Sequence, residues 1–124
     1  PFQSIAWAGN FMPGQPAAVT LMHDRLRSDN RDLAIEFVRQ HQRATEIAET
    51  EPDTAAAHAA SFIDSLEQST ARMAMDSRAS AFITDPHQIE TQAVTFSEYA
   101  NRLGKIDSQL SKSEMFDFGV YDSI

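Results

Sequence analysis

The sequence predicts an all-α domain: a small helical bundle of about four helices, with irregular aromatic arms at its N- and C-terminal ends. Three observations carry that class. Apolar residues recur at spacings of three and four over long stretches, as they do on a helix with one face turned inward. Three prolines, in Gln15-Pro16, Glu51-Pro52 and Asp85-Pro86, each stand at the start of such a stretch. Proline suits the first helical position, where its missing N–H leaves no partner unsatisfied. Finally, 124 residues with 42% apolar and 23% charged side chains suit one globular domain covering residues 1–124.

The first helix is expected over residues 16–27, with Val19, Met22 and Leu26 on one face. Ser28-Asp29-Asn30 then supplies capping side chains for a second helix over 31–48, whose Leu33, Phe37, Ala44, Ile47 and Ala48 form an apolar stripe. Glu36, Arg39, Arg43 and Glu46 fall largely on the opposite side. The third segment, 52–83, has no internal proline or glycine, and Ala55, Ala59, Phe62, Leu66, Met73 and Ser77 track one stripe. As a single helix it would be about 48 Å long, against a diameter on the order of 35 Å for a compact domain of this length. The segment therefore breaks, near Ser69-Thr70 or within 77–80, or packs its free length on a second copy.

The fourth helix is expected over 86–110. Asp85 caps it, Gln88 reaches back in a capping box, and Ile89, Phe96, Leu103 and Leu110 repeat every seven residues beside Ala93, Ala100 and Ile106. This is the spacing of coiled-coil packing, and of an ordinary bundle helix. Gly104 costs it about 1 kcal/mol relative to alanine. The similar turns at Thr50-Glu51-Pro52-Asp53 and Thr84-Asp85-Pro86-His87 lie one tetratricopeptide period apart, but the aromatic and small-residue positions of that repeat are not filled between them.

The arms are 1–14 and 113–124. The first holds Phe2, Ile5, Trp7, Phe11 and Met12; the second alternates acidic and aromatic residues, with Phe116, Phe118 and Tyr121. Both lack a sustained period, so each either folds back over this chain's own core or docks in a groove on another subunit, where Trp and Phe are strong anchors.

A net charge of −8, concentrated in residues 51–124, argues against nucleic-acid binding, which needs clustered Lys and Arg. It serves solubility or steers a basic partner. Arg25, Arg27, Arg31, Arg39 and Arg43 form a weak basic strip in the first half. No apolar run is long enough to span a membrane and no signal peptide is visible, although the chain starts at Pro1 and leaves room for residues upstream. With no cysteine there is no disulfide, thiolate metal site or cysteine nucleophile, and a reducing cytoplasm is the expected compartment.

No catalytic chemistry emerges. His23, His41, His58 and His87 show no ligand spacing, so no metal and no cofactor are expected. The ExxH pairs of di-iron bundles, the nucleophile elbow and the phosphate-binding glycine loops are missing. Asp64 and Glu67 share a helical side, as acidic pairs on solvated faces commonly do. Met12, Met22, Met73, Met75 and Met115 fit core filling better than an adaptable binding surface. The expected class is thus a non-enzymatic protein-binding module.

An aromatic arm from Phe2 to Met12, a helix opening at Pro16 with Ala17-Ala18-Val19-Thr20-Leu21-Met22, and an acidic helical body together resemble the small bacterial quorum-sensing anti-activators of the QslA type. That resemblance implies a cytoplasmic homodimer that binds a LuxR-type transcription factor and blocks its dimerisation and DNA binding; it assigns no individual site residue. Contact candidates, chosen as the least explained apolar groups, are Phe2, Trp7, Phe11, Met12 and Met22, then Phe116, Phe118 and Tyr121. The alternatives are a chaperone or immunity-type protein for a secreted effector or toxin, a small-ligand-binding helical bundle, and an assembly subunit.

Overall fold

A computed structural model describes residues 5–77 and 80–124, and among them the regular structure is helical, with no strand. The helices are α1 (Asp24–Asp29), α2 (Arg31–Thr50), α3 (Pro52–Phe62), α4 (Gln68–Met75), α5 (Glu90–Arg102) and α6 (Lys112–Met115). Short 3-10 turns cover Ala8–Asn10, Pro86–Ile89 and Tyr121–Ser123.

Residues 16–23 form no helix, contrary to the expected start at Pro16. The true cap is His23, whose Nδ1 accepts from the Arg25 N–H at 3.1 Å. Upstream, Val19-Thr20 favours extended backbone and Leu21 has nothing to pack against, so a short stretch cannot offset the cost of nucleating a helix.

Helix α2 follows the expected boundaries closely. It stops at Thr50 because Glu51 precedes Pro52 and is driven out of the helical region, to φ −130° and ψ 58°. Pro52 then opens α3 at its first position.

The long third segment breaks between Phe62 and Gln68, a place that neither expected break names. Ser65 turns there in the left-handed region at φ 71°, a conformation that costs a residue with a side chain about 1–2 kcal/mol. A second stop follows Met75; of the expected 77–80 break, residues 78 and 79 lie outside the described residues. Helices α3 and α4 pack against each other most extensively, and α3 also packs on α2. Arg72 ties the pair together by bonding Asp53 at 2.9 Å and Asp76, while Gln68 Nε2 donates to the Asp53 carbonyl.

The fourth segment opens as a 3-10 turn, where the Asp85 carboxylate caps the His87 N–H at 2.9 Å. Its α-helix ends at Arg102, well short of Leu110. Gly104 adopts φ 65°, the Lys105 N–H donates to Ala100 O at 2.8 Å, and the Gly104 N–H donates to Asn101 O at 2.9 Å. These paired bonds form a Schellman motif, so Gly104 terminates the helix instead of weakening its interior. The chain then doubles back along α5, held by Ser97 Oγ on the Leu110 N–H and by Asn101 Nδ2 on the Ile106 carbonyl. A capping box between Ser111 and Glu114 starts α6.

Among the described residues the buried apolar positions are Ala34, Ala56, Ala71 and Val120, and no large side chain is fully buried. The chain exposes 9584 Å² for 13.8 kDa. A compact monomer of that mass exposes about 6,600 Å².

Candidate interaction surface

The N-terminal segment crosses α5 at Gly14, where a Cβ would sit 3.1 Å from Gln92 Nε2. Upstream, the Trp7 indole folds over Gly9, where a Cβ would fall 2.5 Å from its Nε1. Trp7, Met12 and Met22 are half-buried, whereas Phe11 is 76% and Leu21 88% exposed. Phe2 lies outside the described residues. Five contact candidates from the sequence thus split into one outside the described residues, three half-covered and one, Phe11, that reaches into water.

The C-terminal candidates are brought together instead. Phe118 stacks on His87 with centroids 4.1 Å apart, Phe116 stacks on Phe118 at 5.4 Å, and Tyr121 meets the edge of His87 at 6.1 Å. His87 also bonds Glu90 through Nδ1 at 3.0 Å and Asp122 through Nε2 at 3.1 Å. The Asp122 and Glu90 carboxylates favour its protonated form and raise its pKa. Glu90 is in turn lowered, first by Lys112, whose ammonium also lies 5.1 Å from the Phe118 ring.

Two arginines fasten the same segment to the other side of the fold. Arg27 pairs with Asp117, and Arg31 donates to the Gly119 carbonyl at 2.7 Å and to Ser123 Oγ at 2.9 Å. Asp117 is lowered chiefly by the Gly119 N–H it accepts, then by Arg27. With Val120 buried between these anchors, the C-terminal arm folds back on its own chain.

Apolar groups that the sequence reading placed in the core lie on the surface. The α2 stripe of Leu33, Phe37 and Ala44 is exposed, and the buried side of α2 centres on Ala34. On α5, Phe96 and Leu103 of the heptad series are exposed, with Tyr99 beside them. Phe62, at the end of α3, is 89% exposed. Periodicity identified these stripes; it did not show which of them the fold would bury.

Two open hollows, about 300 Å³ beside Ala48, Pro52, Met75 and Phe82 and about 420 Å³ around Asn30 to Leu33, are broad surface depressions. Among the described residues no group of three or more His, Asp or Glu could hold a metal ion, and no helix is long and apolar enough to cross a membrane. Comparison with known protein families, with curated proteins and with solved structures finds no match.

Proposed function

We propose that this protein works by binding another protein through apolar side chains that its own fold leaves uncovered. The carrying observation is the excess of accessible area, about 3,000 Å² over a compact monomer of the same mass. Within that total area, Phe11, Leu21, Leu33, Phe62, Phe96 and Leu103 are each more than half exposed, and exposed apolar patches mark interaction sites. In this reading the body is a bundle of about four helices, α1 to α4, which pack one on the next, and the N-terminal arm presents Phe11, with Trp7, Met12 and Met22, to the partner. Phe116, Phe118 and Tyr121 pack with His87 just ahead of α5.

The resemblance to quorum-sensing anti-activators supplies the partner class: a cytoplasmic LuxR-type regulator whose dimer surface the protein covers. Such a regulator loses its operator because a dimer is needed to span two half-sites. The net charge of −8 is in keeping with an antagonist that does not itself touch DNA.

The test is operator binding by purified LuxR-type regulators with the protein added. Loss of the shifted band at stoichiometric addition, restored at least about tenfold by Phe11→Ala, is the expected result. Regulators that keep both their dimer mass and their operator in excess protein defeat the proposal. Co-purification with a secreted effector or toxin would replace it with the chaperone or immunity reading.

A further inference from the structure

The described helices fall into two groups. Helices α1 to α4 pack one on the next, whereas α5 packs chiefly on the Pro86–Ile89 turn that leads into it. Among the described residues no extensive helix-to-helix contact joins α5 to α1–α4; the later element that packs on the larger group is the Tyr121–Ser123 turn, against α2.

Residues 116–123 therefore lie between the groups and hold both. Toward the bundle, Arg27 pairs with Asp117, and Arg31 donates to the Gly119 carbonyl and to Ser123 Oγ. Toward α5, His87 bonds Asp122 and stacks on Phe118. The Lys112 ammonium, which pairs with Glu90 at the start of α5, lies against the same ring. The N-terminal segment also meets α5, at Gly14, but Gln92 Oε1 there is buried without a hydrogen-bond partner among the described residues, which weakens that contact.

We infer that residues 116–123 form a strap, held by exposed charges around one buried valine, that couples α5 and its lead-in turn to the α1–α4 bundle and uncouples them when it lifts. What the strap sets is the relative placement of the exposed stripes, Leu33 and Phe37 on α2 against Phe96 and Leu103 on α5. Its fastenings suit release. Val120 is its one buried residue, and its regular structure is a single 3-10 turn. The Arg27–Asp117 and His87–Asp122 pairs are exposed, and pairs of that kind contribute little each and weaken in salt. His87 is faced by Glu90, Asp122 and Asp85, which favour its protonated form, so the grip toward α5 slackens as pH rises. Toward the bundle, Arg27 faces Asp117 and Asp24, and Arg31 lies beside Asp117.

Distances between paired spin labels test the coupling, since the chain has no cysteine of its own. Glu36→Cys on α2 with Glu98→Cys on α5 spans the two groups, and Glu36→Cys with Ala57→Cys on α3 lies within the bundle. In mildly acid solution the spanning pair should give one narrow distance. Val120→Asp, which places a carboxylate at the buried point of the strap, should shift the equilibrium toward the open form by at least about 100-fold. Asp122→Ala should shift it by about tenfold. Both should broaden the spanning distance while the pair within the bundle and the far-UV circular dichroism stay unchanged, which separates a lifted strap from an unfolded chain. Raising the pH of the otherwise native labelled chain should broaden the spanning distance too, and supplies the readout where a variant fails to fold. A spanning distance that is already broad in mildly acid solution overturns the inference, as does one that stays narrow with the strap substituted and at raised pH. The inference needs no partner, so loss of the regulator reading leaves it standing.

Discussion

Replacing Gly104 with alanine gives opposite results according to whether the glycine sits inside a helix or ends one. Inside a helix over 86–110, Gly104→Ala would stabilise by about 1 kcal/mol through propensity alone. In the structure Gly104 is left-handed at φ 65° and closes the Schellman motif at the end of α5. A Cβ there meets no atom within 4 Å, so the substitution carries no steric clash and the backbone term decides the sign. Placing a side chain in the left-handed region costs about 1–2 kcal/mol. The expected outcome is therefore destabilisation by about 1 kcal/mol, or about 4 °C in Tm for a chain of this size. Gly104→Asn should cost less, because asparagine tolerates the left-handed region. Thermal unfolding followed at 222 nm, at one fixed protein concentration so that association does not shift the midpoint, measures both. A more stable Gly104→Ala protein would mean that α5 continues beyond Arg102 and would refute the placement of the helix end.

Ala56 is fully buried on α3, which packs on both α2 and α4; Ala56→Leu should overpack that contact and cost about 1–3 kcal/mol in urea unfolding, whereas a neutral result would show that the helices do not meet there. The docking of the C-terminal segment should depend on pH through His87, which faces Glu90, Asp122 and Asp85, with Lys112 beyond them on Phe118. Its raised pKa means that its stabilising charge is fully present below the ordinary value of 6.5 and is lost as pH rises through the raised value. Glu90 and Asp117, both lowered, contribute above their ordinary values of 4.5 and 3.8 and lose that contribution as pH falls through the lowered ones. Proteolysis at Phe116, Phe118 and Tyr121 should therefore be slowest in mildly acid solution, and His87→Ala should remove the rise in cleavage toward neutral pH; an unchanged profile would exclude His87 as the anchor.

Those parts of the fold with local punctuation were legible in the sequence. Helix α2 lies between Asn30 and the Glu51-Pro52 pair; it starts where expected, although Asn30 makes no side-chain cap bond, and it runs two residues past the expected 48, up to that pair. The break at Ser65 was not legible, because a left-handed turn built on serine has neither the glycine nor the asparagine that usually marks one. Gly104 was visible but its role was not: the heptad series Phe96, Leu103, Leu110 runs straight through it, although Leu110 belongs to the chain that doubles back. The anchors of the C-terminal arm were beyond local reading altogether. Arg27–Asp117, Arg31–Gly119 and His87–Asp122 join positions far apart in sequence, and no periodic pattern encodes which arginine meets which tail residue.

The candidate surface exposes a more general limit. A stripe at helical spacing states that one face of a helix will be covered; it does not say by what. In α3 the covering elements belong to the same chain, and the residues at the contact, Ala56 and Ala71, are small because the helices approach closely. In α2 and α5 the stripes are built from Leu33, Phe37, Phe96 and Leu103, side chains large enough to fill a core, yet they face water. Large side chains outside and alanines inside reverse the usual order of burial. A sequence under selection only to fold as a single chain would gain stability by exchanging those sites. The arrangement is accounted for when the large groups on α2 and α5 pack against another molecule.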